Sequence, residues 1–122
     1  MKPLVLILLS ALLVSNACEK EETLKETIDL TIVNETDTDY LKARLFAVNA
    51  DYQTHSDSLL IEIPGNDSVN VSWKPKLSTS TGEFYFELNN NRGLGLWYYA
   101  GNSIADDGPF KLIIEENEII YE

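Results

Sequence analysis

The most reactive side chains of this chain belong to its single histidine and its single cysteine. His55 is followed directly by Ser56 and Asp57, which supply the three residue types of a hydrolytic triad. A triad requires these side chains to converge on a pocket with an oxyanion hole, and neighbours in sequence seldom point at each other. The surrounding stretch is polar and lacks a nucleophile-elbow motif. We therefore expect a solvated loop histidine and no catalytic residue.

Cys18 stands at the end of a sequence with the layout of a signal peptide. Lys2 gives a short positive segment, residues 4–14 are almost entirely apolar, and residues 15–17 are small or polar. The layout resembles a bacterial lipoprotein signal, in which the cysteine thiol is acylated and the preceding peptide is removed. This implies a signal peptide over 1–17 and lipidation at Cys18.

Two alternatives to lipidation stay open. An ordinary secretory signal would be cut after Ala17 and would leave a free cysteine. A membrane-spanning helix would need roughly 20 apolar residues, and the apolar stretch is shorter. Lipidation is the interpretation we favour, followed by an acidic linker over 18–26 and one domain over 27–122.

Lys20, Glu21 and Glu22 follow the cysteine closely. They resemble the export signal of surface lipoproteins in Bacteroidetes-type bacteria, in which acidic residues follow a lysine just after the lipidated cysteine. The resemblance implies a lipid-anchored protein of the outer membrane that faces outward. A charged, solvated tether is the alternative explanation of the same residues.

The formal net charge of −11 restricts the partners of the protein. Cleavage before Cys18 would remove Lys2 and no acidic residue, which leaves residues 18–122 with one positive charge fewer. A surface this acidic repels phosphate backbones, so we expect no nucleic-acid partner. It also repels anionic lipid, so the lipid anchor would hold the protein at the membrane.

Apolar and polar residues alternate with a period of two through most of the chain after residue 26. Seven or eight short strands are predicted, and no segment after the signal has helical periodicity. This favours an all-β fold, an antiparallel two-sheet β-sandwich with immunoglobulin-like or transthyretin-like Greek-key connectivity. Pro64-Gly65 predicts a type II turn, with glycine at positive φ, inside a hairpin over 58–73. The residues expected to face the core are Leu30, Leu45, Ile61, Val71, Phe84, Phe86 and Leu112.

The layout resembles the small β-sandwich lipoproteins of Bacteroidetes-type cell surfaces. Two features carry the resemblance. They are Cys18 with Lys20, Glu21 and Glu22, and the strand–turn–strand unit around Pro64-Gly65. The unit is common to many sandwiches, so the resemblance implies no particular activity.

Calcium is the one metal ion for which the sequence offers ligands. Glu35, Asp37 and Asp39 alternate with threonines, an oxygen-rich spacing similar to that of calcium loops. A polar turn explains the same residues, since the glycine and the distal glutamate of an EF-hand are absent. No other cofactor is expected.

The aromatic segment 94–99 follows an amide-rich stretch and is the candidate binding region. On an alternating strand Trp97 and Tyr99 share one face, which we expect to be core, and Tyr98 lies on the other. Arg92 and Tyr98 are therefore the predicted ligand-binding residues. Aromatic faces beside amides suit either a glycan or a protein ligand. Arg92 is expected on a loop over 89–93, and Tyr98 on the strand that follows it.

Two short motifs, Asp57-Ser58-Leu59 and Asp67-Ser68-Val69, resemble the O-glycosylation acceptor of the same bacterial group. The resemblance implies modification at Ser58 and Ser68.

The sequence favours a non-enzymatic binding module anchored in the envelope, with a glycan or an envelope protein as its ligand. A structural or accessory subunit of an outer-membrane assembly is the alternative. A small glycan-active enzyme is the third, since paired carboxylates can hydrolyse glycosidic bonds and acidic residues are abundant.

Overall fold

The computed structural model describes residues 21–89 and 91–122. The described residues form eleven strands and no helix. The strands are β1 Glu22–Thr23, β2 Ile28–Asn34, β3 Tyr40–Asn49, β4 His55–Ile63, β5 Asp67–Trp73, β6 Lys76–Leu77, β7 Thr81–Leu88, β8 Asn91–Ala100, β9 Ser103–Ile104, β10 Lys111–Ile114 and β11 Ile119–Tyr121.

Two main sheets pack face to face as a β-sandwich. The four-stranded sheet has the order β11-β10-β2-β5, the five-stranded sheet has the order β4-β3-β7-β8-β9, and β1 pairs with β6 in a small third sheet. All pairs are antiparallel except β10 with β2, which is parallel. The predicted sandwich is confirmed, with this one parallel pair as a difference.

The strand order tests the predicted immunoglobulin-like connectivity. In the immunoglobulin fold the first two strands share a sheet. Here β2 and β3, the first two long strands, lie in different sheets. The immunoglobulin-like connectivity therefore disagrees with the strand order.

The predicted hairpin over 58–73 is wrong, because β4 and β5 belong to different sheets. The connection crosses from one sheet to the other, and its residue at positive φ is Asn66 (55°). Gly65 serves a close approach instead: a Cβ there would lie 2.7 Å from the carbonyl carbon of Asp37. The two loops that cross between the sheets therefore touch at one end of the sandwich.

Apolar side chains from both sheets fill a single core. Trp73 of β5 meets Phe84 of β7 edge to face across the sandwich, with ring centroids 6.4 Å apart. Every side chain predicted to face the core is buried, namely Leu30, Leu45, Ile61, Val71, Phe84, Phe86 and Leu112. Trp97 and Tyr99 are also buried, as predicted, and Tyr98 faces away.

Leu41 departs from the predicted alternation, since 62% of its surface is exposed. The pairing of β3 with β4 shifts register between Tyr40 and Ala43. Such a shift changes which residues of a strand face inward, so Tyr40 packs against the core and Leu41 does not.

The last part of the predicted linker belongs to the fold. Leu24 is fully buried in the core, and its amide donates to the carbonyl of Pro75 at 2.9 Å. Within the described residues, the first strand therefore lies at Glu22–Thr23, inside the segment predicted as linker.

Candidate binding surface

The outer face of the five-stranded sheet carries residues that alternate with the core-facing ones on β3 and β7. Cross-strand register sets Phe46 opposite Tyr85 and Val48 opposite Glu83. On the far side of β7, Glu83 lies opposite Tyr98 of β8. Residues directly opposite each other on one face have Cβ atoms about 5 Å apart. The register therefore gathers aromatic side chains around Glu83.

The outer face also carries a small cluster of buried apolar side chains that does not belong to the main core. Phe46 is only 4% exposed and Val48 is fully buried, although both point away from the sandwich interior. The ring of His55 packs on Phe46 at 4.6 Å, and the guanidinium of Arg44 lies 5.8 Å from the Phe46 ring centre. The expected loop histidine is therefore the first residue of β4 and covers an aromatic ring.

Glu83 accepts hydrogen bonds from two tyrosines. The Tyr85 hydroxyl donates to Oε2 at 2.6 Å, and the Tyr52 hydroxyl donates to Oε1 at 3.2 Å. The negative charge of Glu83 and its hydrogen bond raise the pKa of the Tyr52 phenol above the ordinary value. We name Tyr52, Tyr85 and Tyr98, arranged around Glu83, the tyrosine cluster.

The loop between β3 and β4 holds Tyr52 over the sheet. Tyr52 has a φ of 58°, and its amide donates to the carbonyl of Asn49 at 2.9 Å. Asp51 accepts the amides of Gln53 and Thr54 at 2.9 and 3.0 Å, and these bonds lower the pKa of its carboxyl. Such side-chain-to-backbone bonds fix a turn, so Tyr52 is held by its loop as well as by Glu83.

The buried side chain of Asn49 ties this loop to the segment before β7. Its Oδ1 accepts hydrogen bonds from Ser56, Ser78 and Thr79. Its Nδ2 donates to Thr54. The loop between β3 and β4 is therefore short and heavily hydrogen-bonded, and the polar residues from His55 onward belong to β4.

Tyr98 and Tyr52 are the accessible members of the tyrosine cluster, with 40% and 54% of their surfaces exposed. Tyr98 was predicted from its position on an alternating strand. The contact between Tyr52 and Glu83 was not predicted, because the two residues are 31 positions apart in the sequence. The one signal in the sequence that could have pointed to Tyr52 was an aromatic residue in an otherwise polar loop.

Arg92, the second predicted binding residue, lies on β8 and not on the expected loop over 89–93. β7 ends at Leu88 and β8 begins at Asn91. Arg92 lies opposite Glu87, four residues along β7 from Glu83, which is about 13 Å along the strand. The register therefore separates Arg92 from Tyr98.

The predicted calcium residues serve as loop hydrogen-bond acceptors. Asp37 accepts from the Asn66 side chain at 2.7 Å, and Asp39 accepts from the Gly65 amide at 2.8 Å. Glu35 instead lies near Glu115, whose pKa is raised by desolvation and by its acidic neighbours. Across the described residues, no group of three or more His, Cys, Asp or Glu side chains is arranged to hold a metal ion. The calcium prediction therefore gains no support.

The anchor region is described only in part. Cys18 and Lys20 lie outside the described residues, and Glu21 and Glu22 are exposed. Glu22 belongs to β1 and accepts a hydrogen bond from the side chain of Asn102. None of the residues that the structure describes forms a helix with the length and hydropathy required for a bilayer crossing.

Ser58 and Ser68 are both exposed. The backbone amide of each donates to the carboxylate of the preceding aspartate, at 2.9 Å for Ser58 and 2.8 Å for Ser68. Their modification stays a prediction.

A groove of about 320 Å³ forms a second surface feature, and its lining residues do not include the tyrosine cluster. Trp97, Ile104 and Phe110 give it apolar walls, and Phe110 is 64% exposed. Its acidic lining residues are Glu26, Asp29, Asp106 and Asp107.

The chain matches no protein-family model, no curated protein and no solved structure.

Proposed function

We propose that this chain is a lipid-anchored envelope protein that acts as a non-enzymatic binding module, with the tyrosine cluster as its binding surface. The observation that carries the proposal is the exposure of Tyr98 on the outer sheet face and of Tyr52 in the loop over it, beside a carboxylate that accepts hydrogen bonds from the cluster. Exposed aromatic side chains supply large contact area at low entropic cost, which is why they dominate binding surfaces.

The anchor half of the proposal rests on the sequence before residue 21. Acylation at Cys18 would hold the module at the outer membrane, and the residues after it would direct the module outward. Cys18→Ser should abolish acyl labelling and leave the precursor uncleaved by the lipoprotein peptidase. Equal labelling of the two proteins would refute the anchor.

The binding half is tested by capture from envelope extract, with a glycan array beside it. Tyr98→Ala should remove the ligands that the wild-type protein captures. Tyr121→Ala is the matched control, because Tyr121 is 38% exposed and lies on the other sheet. Both variants should keep the melting temperature of the wild type. Capture that survives Tyr98→Ala would move the binding surface elsewhere.

The alternative function, an accessory subunit of an outer-membrane assembly, is favoured by one observation. Phe110 is a large apolar side chain that stands exposed between two depressions of the surface. If a membrane protein docks there, Phe110→Ala should remove that partner, and Tyr98→Ala should not.

A further inference from the structure

β7 carries two outward-facing glutamates with contrasting neighbours. Glu87 lies between Arg44 of β3 and Arg92 of β8 in the cross-strand register. Glu83 has no basic residue at either cross-strand position. The register therefore places basic residues opposite Glu87 on both neighbouring strands and none opposite Glu83, so Glu83 lacks the charge compensation that a facing basic residue can supply.

The side-chain partners of Glu83 are neutral as well. Across the described residues, its carboxylate accepts from the phenols of Tyr52 and Tyr85. Two phenols leave the negative charge in place. An ionised carboxylate has about four lone-pair sites, so capacity for a further donor remains.

The carboxylate is also fixed in position. A Cβ added at Gly95 would lie 2.5 Å from Oε2 of Glu83, so the carboxylate lies over a residue of β8 that has no side chain. Tyr85 holds the same oxygen at 2.6 Å. The charge is therefore presented at a defined point between β7 and β8.

Aromatic rings next to a fixed negative charge suit a cationic group. Ring faces attract ammonium groups, and clusters of aromatic residues bind alkylated ammonium ions in this way. The same sheet face already holds one cation over a ring, since the Arg44 guanidinium lies 5.8 Å from the centre of Phe46. The net charge of −11 would further favour approach of a basic partner.

We propose that Glu83 and the tyrosine cluster bind an alkylammonium group, the side chain of a lysine on a partner protein. This inference rests on the proposed function, because it names the ligand chemistry of the same surface. Lysine fits better than arginine. A lysine ammonium is a compact charge that needs one acceptor site, and one site remains on each oxygen of Glu83 beside its phenol. A guanidinium fork would need both remaining sites at once and in one plane.

The test is an NMR titration of the purified protein with Nα-acetyl-lysine methylamide. Its ε-acetylated form is the neutral control probe. The lysine probe should shift the ring signals of Tyr52 and Tyr98 in a saturable, salt-sensitive manner, and the acetylated probe should not. Glu83→Gln should weaken the binding by about tenfold or more, as loss of a charged hydrogen bond does. Glu87→Gln is the matched control and should bind like the wild type.

Tyr98→Leu gives a second variant that does not depend on the carboxylate. It keeps an apolar side chain at an exposed position and removes the ring, so it should fold and bind the lysine probe more weakly. Equal shifts with the acetylated probe, or wild-type affinity in both Glu83→Gln and Tyr98→Leu, would overturn the proposal.

The two proposals fail in distinguishable ways. If Tyr98→Ala abolishes capture from the envelope extract but the lysine probe does not bind, the surface stands and the lysine ligand is overturned. If capture survives Tyr98→Ala, the surface itself is wrong.

Discussion

Glu83 and Tyr98 lie directly opposite each other on the outer face of the β7–β8 pair. The carboxylate of Glu83 also accepts the hydroxyl of Tyr52, which reaches it from the loop between β3 and β4. Three separate segments therefore meet at one carboxylate on the side of the sheet away from the core. This arrangement is the basis of the proposed binding surface.

The first prediction concerns the packing of the segment before residue 27. Leu24→Ala should lower the free energy of unfolding by about 2–5 kcal/mol, because Leu24 is fully buried. Leu41→Ala is the matched control. It should change the free energy of unfolding by about 0.5 kcal/mol or less, since Leu41 is 62% exposed. Urea denaturation measures both, and equal effects would mean that residues before 27 are a tether after all.

The second prediction concerns the core of the five-stranded sheet. Phe86→Ala should cost about 3–5 kcal/mol, because the ring is fully buried. A domain of this size has about 5–15 kcal/mol of stability in total. The variant should therefore denature at a much lower urea concentration or fail to fold at growth temperature. A wild-type midpoint would contradict the inward orientation of β7.

Local alternation predicted which side chains face inward, but it could not predict which strands share a sheet. Period two is a property of a single strand, so Leu30 and Phe86 could be assigned from their own neighbours. The register shift that exposes Leu41 depends on pairing with β4. Pro64-Gly65 indicated a turn correctly, but whether the chain then pairs or crosses depends on contacts with the loop around Asp37.

The candidate site was predictable only where one strand determines it. Tyr98 follows from alternation along β8. The contact of Tyr52 with Glu83 depends on a loop conformation with positive φ and on the pairing of β3 with β7. Neither is encoded in a short window of sequence, which is why the partners of Tyr98 were missed.

The third prediction separates export from folding in the segment after Cys18. Glu22 accepts a hydrogen bond from Asn102, so it is left unchanged. Lys20→Ala with Glu21→Ala should make the protein resistant to protease added to intact cells while it stays bound to the membrane.

Lys25→Ala with Glu26→Ala is the control for this export test. It removes the same two residue types a few positions later and should leave the protein accessible to protease. Accessibility that is unchanged in the first double variant would show that Lys20 and Glu21 are only part of a tether.

The fourth prediction concerns the titration of Tyr52. Its pKa is raised by Glu83 from an ordinary value near 10.0. ¹³C NMR of labelled tyrosines, assigned with Tyr52→Phe, should therefore show Tyr52 titrating above that value. Glu83→Gln should return the pKa toward 10.0, and Glu87→Gln should leave it raised.

The sign of the linked stability effect follows from the raised pKa. Between the unfolded and folded pKa values of Tyr52 the folded state binds more protons. The contribution of this phenol to stability is therefore fully present below the unfolded pKa and is lost as the pH rises through the folded pKa. A Tyr52 pKa that does not respond to Glu83→Gln would contradict the contact between the two side chains.

The fifth prediction, and the most direct test of the binding surface, is photo-crosslinking in living cells. A benzophenone amino acid at position 100 would stand two residues after Tyr98 on the same strand and the same exposed face. The same amino acid at Tyr121 would stand on the other sheet. We predict that irradiation yields a specific cross-linked product from position 100, that Glu83→Gln reduces it, and that position 121 yields none. Cross-linking from position 121 with none from position 100 would contradict the claim that the tyrosine cluster is the binding surface.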